Sequence, residues 1–183
     1  MTKRVVHGLP ISGIDPETGK PAIDSLAGGS FLATYYYTRP GQKKISDEQM
    51  DRAIELVGDD EVFFLDNGAF TAYRSGEPIH EDPDYIDGFY DWAESVMDRC
   101  PQAVAIVPDV IGGTAEQNWE LASQLPWDPM RSCYVWHLHE PLEVLKRIIE
   151  EGYAYLAFGS SEEYWKVNSP IWQDRIDAAF AYL

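Results

Sequence analysis

The sequence predicts an α/β fold of parallel βα repeats, of the (β/α)8-barrel type and incomplete at its C-terminus. Three observations predict it. Short apolar runs alternate with amphipathic stretches at helical spacing, the pattern of strands joined by right-handed helical crossovers. Most of these runs are apolar throughout, as strands covered on both faces are. About five such strands in 183 residues fall short of the roughly 250 residues that eight units take. A single domain over residues 1–183 is expected, with 1–30 as an irregular N-terminal segment.

Residues 7–30 are rich in Gly, Pro, Ser and Asp, and Asp15-Pro16-Glu17-Thr18-Gly19-Lys20 is turn chemistry. The β-branched and aromatic run from Ser30 to Thr38 favours a strand. Ser46 followed by Gln49 offers a helix N-cap. Met50, Ala53, Ile54 and Val57 then hold helical spacing up to Gly58, where a C-cap glycine belongs. Glu61–Leu65 is the next strand and ends in Asp66-Asn67-Gly68-Ala69-Phe70. Tyr85–Met97 carries Ile86, Phe89, Tyr90, Ala93 and Val96 on one helical stripe. Ala103–Val107 is a strand ending in Pro108-Asp109. Thr114 and Gln117 cap a helix to about Leu125. Ser132–Trp136 is a strand ending in His137-Leu138-His139-Glu140. A helix from Leu142 to Glu151 is closed by Gly152. Tyr153–Phe158 is the last strand, followed by Gly159-Ser160-Ser161, and the last helix spans about Pro170 to Leu183. Trp92, Trp119, Trp127, Trp165 and Trp172 are expected to pack these elements together.

Lys and Arg total 14 against 31 Asp and Glu, a formal charge of −17. Such a chain repels phosphate backbones unless a local basic strip or a partner intervenes. Hydrophobic residues at 45% are enough for a buried core, which excludes a disordered acidic tail. Cys100 and Cys133 are the two cysteines, too few for a disulfide framework or a four-cysteine zinc site. No run approaches a membrane span. The start of the chain lacks a signal peptide's apolar stretch. A cytoplasmic location follows as the expectation. No P-loop, dinucleotide fingerprint, serine-hydrolase elbow or His-Glu-x-x-His segment occurs.

In parallel α/β folds chemistry gathers at the carboxyl ends of strands. Those ends supply Asp66, Asn67, Gly68 and Phe70, then Asp109, then His137, His139 and Glu140, then Gly159 and Ser160. Asp66 sits where a carboxylate can be tuned for acid–base or nucleophilic work; its plainer role is a turn cap on Gly68 and Ala69. Phe70 is placed to cover a flat ring or to fill the core. Asp109 is a second strand-end carboxylate, or a cap before Gly112-Gly113-Thr114. His137 and His139 share one side of their strand. Glu140, before Pro141, serves most simply to start the next helix. Gly159-Ser160-Ser161 presents backbone N–H groups to an anion or a base edge.

In order, the segments Leu65-Asp66-Asn67-Gly68-Ala69-Phe70, Val107-Pro108-Asp109, Trp136-His137-Leu138-His139-Glu140-Pro141 and Phe158-Gly159-Ser160-Ser161 resemble the tRNA-guanine transglycosylase superfamily. Within it they look most like the phage and bacterial relatives proposed to place 7-deazaguanines in DNA. The resemblance covers about residues 60–183 and implies a (β/α)8 barrel that exchanges a guanine in a polynucleotide for a free modified base. It assigns base contact and proton transfer to Asp66 and stacking to Phe70, with Asn67 and Gly68 in the same segment. Asp109 falls where the family hydrogen-bonds the purine's Watson–Crick edge. His137 and His139 fall where it recognises the exocyclic oxygen. Gly159 and Ser160 match a turn whose backbone holds the base. The family's second aspartate, its nucleophile, and its zinc site have no counterpart in these residues, so activity is expected to need a further segment or a partner.

The leading expectation is therefore a guanine or 7-deazaguanine base-exchange protein acting on DNA, without a cofactor or metal, in the host cytoplasm if phage-encoded. Contact with DNA would be local or partner-assisted, membranes would be avoided, and an exposed sheet edge would favour homo-oligomerisation. One alternative is a metal-dependent barrel hydrolase with His137, His139, Asp66 and Asp109 as ligands. Another is a non-enzymatic acidic binding protein.

Overall fold

The structure is a computed structural model and describes residues 4–160 and 162–183. Its strands are β1 (Val6–Gly8), β2 (Ser30–Thr34), β3 (Phe63–Asp66), β4 (Ala103–Ile106), β5 (Ser132–His137) and β6 (Tyr155–Gly159). Its helices are α1 (Asp47–Leu56), α2 (Ala69–Arg74), α3 (Pro83–Met97), α4 (Ala115–Ala122), α5 (Glu143–Glu150) and α6 (Pro170–Tyr182). Hydrogen-bonded neighbours follow chain order and the registered pairs are parallel. The parallel α/β class is as expected. The described residues form six strands, not the eight of a complete barrel. The chain divides into two compact units. One runs up to Gly68 and takes in Asp87–Ala105; the other holds Ala69–Ile86 and Ile106–Leu183.

The first unit is built on β1 to β4. Phe31 of β2 stands beside Phe63 of β3, their rings edge-on at 6.2 Å, and Phe63 stands beside Ala103 of β4. Leu65 is likewise flanked by Ala33 and Ala105. Small residues beside large ones let the covering side chains interdigitate, and all of these are buried. β1 lies within the segment expected to be irregular. It has three residues and no buried one, so it carries no apolar run; backbone pairing with Ser30–Leu32 makes it a strand. β2 is shorter than expected, because Tyr35–Tyr37 turn into a 3₁₀ segment closed by the Thr38 N–H and hydroxyl on the Tyr35 carbonyl.

Ser46 caps α1 by accepting from the Gln49 N–H. The Gln49 amide does not complete a capping box. It clamps Ile11 instead, accepting from its N–H at 3.0 Å and donating to its carbonyl at 2.7 Å. Gly58 is not the C-cap, which falls on Val57. A Cβ at Gly58 would come within 2.7 Å of the Gly28 carbonyl oxygen, so close backbone approach is what requires glycine there.

Gly88 lies inside α3, where glycine ordinarily weakens a helix by about 0.5–1 kcal/mol relative to alanine. Here Tyr35 crosses the helix: a Cβ at Gly88 would lie 2.3 Å from its hydroxyl. The Tyr35 ring packs 6.1 Å from Phe89 and 5.6 Å from Trp92. Gly88→Ala is therefore expected to destabilise by about 1–3 kcal/mol, the cost of overpacking. Thermal unfolding checks this, and a stabilised variant would refute the packing role assigned to Tyr35.

The second unit packs around Tyr134, Trp136, Leu138, Leu145 and Ile148, with Val107, Ala122 and Ala179 closing the cluster. Thr114 and Gln117 form a reciprocal capping box on α4, and Ser169 caps α6, each satisfying helix-end N–H groups. Trp119 packs on Tyr134 at 5.7 Å under the Arg147 guanidinium at 3.5 Å. Trp165 is not a packing residue, since it is 72% exposed. The short helix α2 has no counterpart in the expected elements. No helix among the described residues is long and apolar enough to cross a membrane.

Candidate functional site

The chemistry of the second unit collects where β4 and β5 end. β4 leads through Val107 and Pro108 to Asp109, and the Val107 N–H bonds to the Cys133 carbonyl of β5. β5 ends in His137. A tight turn follows, closed by the Glu140 N–H on the His137 carbonyl at 2.8 Å. The Asp109 Oδ2 and His137 Nε2 are 3.0 Å apart, with Asp109 8% exposed and His137 2%. Asp109 Oδ1 makes no hydrogen bond to a described residue. His139 points to the same side as His137, their rings 5.6 Å apart, and its Nε2 lies 2.9 Å from the Gly113 carbonyl oxygen.

Glu140 does not simply open the next helix. It is 1% exposed. Its Oε1 accepts from the Asn118 amide at 2.7 Å and its Oε2 from the His137 N–H at 3.3 Å. Asn118 is also buried, and its Oδ1 accepts from the Val110 N–H at 2.7 Å. One carboxylate and one amide thus tie the segment after β4 to the turn after β5, which fixes Asp109 opposite His137. From α6, Arg175 donates to the Leu138 carbonyl at 2.7 Å and to the Glu140 carbonyl, with its guanidinium 5.0 Å over the Trp136 ring. Asn118, Gly113 and Arg175 were not expected as site residues, and Glu140, one of the strand-end residues, was expected most simply to start the next helix. A polar Asn on the covered side of an otherwise apolar helix stripe is the one sequence signal that could have pointed to the network.

The end of β6 completes this end of the unit. Gly159 lies beside His137 in the sheet register, and a Cβ on it would fall 2.7 Å from the imidazole Nδ1. Only a residue without a side chain lets the ring lie flat there. Both ring nitrogens are buried without a well-formed hydrogen bond among the described residues, and Nε2 meets Asp109 as an ion-pair contact. The Ser160 hydroxyl accepts from the Trp172 indole N–H at 2.9 Å, so it anchors α6. Ser161 of the expected turn lies outside the described residues.

Electrostatics follow the burial. Desolvation pulls the His137 imidazole down, but the hydrogen bond and charge of Asp109 and the charge of Glu140 outweigh it, leaving its pKa above the ordinary value. Burial pushes the Glu140 carboxyl up, against the Asn118 hydrogen bond and the His137 charge. Burial also raises the Cys133 thiol to about 12, which rules it out as a thiolate nucleophile near neutral pH.

Asp66 is the last residue of β3, beside Thr34 of β2; it is half-buried, and Asn67 after it is buried. Gly68 has φ +84°, a left-handed turn that favours glycine. These three belong to the first unit. Phe70 belongs to the second and is not a core residue: it is 60% exposed on α2, with the Arg74 guanidinium 5.9 Å from its ring centre. Asp109, His137, His139 and Gly159 are brought together within the second unit. Among the described residues no three His, Cys, Asp or Glu side chains are placed to hold one metal ion, so the four-ligand hydrolase arrangement gains no support. Comparison with family models, curated proteins and solved structures returns no match to this chain.

Proposed function

We propose that the second unit binds a planar nucleobase of the guanine or 7-deazaguanine class at Asp109. We propose that the chain is a transglycosylase-like protein acting on DNA, with Asp66 in the proton-transfer role that the resemblance implies. The observation that carries base binding is the state of the Asp109 carboxylate: Oδ2 faces His137 Nε2 at 3.0 Å, within ion-pair range, and Oδ1 makes no bond to a described residue. A carboxylate anchored through one oxygen offers the other as a fixed acceptor. The ring N–H and exocyclic amine of a guanine edge are complementary donors. His139, beside His137, brings an imidazole to the same end of the strand, where a donor to the exocyclic oxygen is needed. His137 acts through Asp109 and is a positioning residue.

Titration calorimetry with 7-deazaguanine and with guanine tests the proposal. Saturable binding is expected, weakened at least about 100-fold by Asp109→Ala. That figure assumes two charge-assisted hydrogen bonds at about 1.5 kcal/mol or more each. No saturable binding, or binding untouched by the substitution, would overturn the proposal.

A further inference from the structure

The loop from β6 to α6 carries an aromatic group that neither the core nor the base site uses. Tyr164 packs against the buried cluster of the second unit, while the next residue, Trp165, is 72% exposed. The other five tryptophans are buried or half-buried. Among the described residues the Trp165 ring has neither a ring contact nor a hydrogen-bond partner. Lys166 beside it is exposed and pairs with no carboxylate of a described residue. The loop is fastened on both sides of the indole. The Trp165 N–H bonds to the Glu162 carbonyl at 3.2 Å and the Ser169 N–H to the Lys166 carbonyl at 3.1 Å. The Gln173 amide donates to the Asn168 carbonyl at 3.3 Å, and the Trp172 indole N–H to the Ser160 hydroxyl at 2.9 Å. A ring presented from a fastened loop loses little freedom when it meets a ligand.

Position and charge decide what the indole meets. The loop follows Gly159, which lies beside His137 in the sheet, and the βα loops of parallel folds line the site at the strand ends. Glu162 and Glu163 precede Trp165 on a chain of formal charge −17, so the loop is not a basic strip. A polynucleotide there is held by stacking rather than by neutralising many phosphates. A single indole offers about 150–250 Å², against the roughly 1,200–2,000 Å² of a stable protein interface, which is too little to seat a second copy of the chain. One nucleobase, by contrast, is covered by one indole face, and such stacking tolerates any base.

We infer that Trp165 stacks on a base of a single-stranded polynucleotide, flanking the nucleotide taken at Asp109, with Lys166 on one phosphate. The inference rests on the DNA role proposed above, and it adds where the strand is held and that the strand is single. A strand without guanine reads the contact at Trp165 apart from the base site.

The test is NMR titration of the six indole N–H signals of the 183-residue chain with a twelve-residue thymidine strand. The Trp165 signal should shift saturably, while those of Trp127 and Trp172, held by Ser132 and Ser160, stay in place. Anisotropy of the fluorescein-labelled strand should show binding weakened about tenfold or more by Trp165→Ala, the loss of one stacked base, and largely kept by Trp165→Phe. A tenfold rise in salt should weaken binding only about fivefold, the slope for one phosphate of a single strand, and Lys166→Ala should remove that dependence. Ile149→Ala, at another exposed apolar position, should leave binding unchanged. One guanine placed within the strand should tighten binding; if it does not while the Trp165 signal still shifts, the base site fails and the stacking contact stands. No saturable shift at millimolar strand, binding unchanged in Trp165→Ala, or a loss of several powers of ten with salt would overturn the inference. So would a sedimentation coefficient lowered by Trp165→Ala, since the indole would then join two copies of the chain.

Discussion

Asp109→Asn is expected to reverse the direction in which pH acts on His137. In the native protein the folded pKa of His137 lies above the ordinary value of 6.5. The charged pair therefore contributes its full stability below about pH 6.5, and that contribution is lost as pH rises through the folded pKa. Glu140, also raised from its ordinary 4.5, acts in the same direction from a lower starting point. Its contribution is present below about pH 4.5 and declines as pH rises toward the folded value. In Asp109→Asn the carboxylate is gone while burial remains, so desolvation governs and the imidazole pKa falls below 6.5. Acid then destabilises, because the unfolded chain takes up the proton first. Breaking a buried pair by removing one partner costs about 3–5 kcal/mol, and this loss should be greatest below pH 6.5. NMR titration of the His137 ring, with denaturant unfolding at pH 5.5 and 8.5, measures both effects. An unchanged titration in the variant would show that the 3.0 Å approach does not couple the two groups.

The sequence discloses what depends on repeating apolar pattern and hides what depends on a single contact. The runs Glu61–Leu65, Ala103–Val107 and Ser132–Trp136 announce strands because sheet burial on both faces favours continuously apolar runs. Capping at Ser46 and Thr114 is legible because hydroxyl-to-backbone geometry is local. β1 is not legible, since its three residues bury nothing and only pairing with β2 defines it. The same division runs through the site. Asp109, His137, His139 and Gly159 stand out as strand-end residues, and topology brings them together within one unit. Asn118 does not stand out, and Glu140 stands out only as a strand-end residue, because their joint role exists only once a helix-borne amide meets a turn-borne carboxylate 22 residues later. What requires glycine at Gly88 and at Gly159 is not legible, because each is fixed by a side chain from elsewhere in the chain. Tyr35 and His137 supply their reasons, and neither neighbour is close in sequence.

Glu140→Ala is expected to be among the most destabilising single changes in the second unit, at about 3–5 kcal/mol. It removes the acceptor for the Asn118 amide and for the His137 N–H. Each buried donor left without a partner costs about 1–3 kcal/mol, and the vacated volume adds a cavity cost. At about 2–4 °C per kcal/mol for a chain of this size, the melting temperature should fall by roughly 10 °C. Glu140→Gln separates geometry from charge. Its amide oxygen can still accept from Asn118, but its NH₂ group then faces the His137 N–H, so an intermediate loss is expected. It also withdraws one of the charges that raise the His137 pKa, while the Asp109 hydrogen bond persists. The ring should therefore titrate lower than in the native protein but higher than in Asp109→Asn. Removing both polar partners, as in Asn118→Leu with Glu140→Leu, should not restore stability. The Val110 and His137 N–H groups would still lack the acceptors they now use. Full recovery in that double variant would mean that these backbone donors find water or another acceptor. The Asn118–Glu140 pair would then not be what holds Asp109 opposite His137.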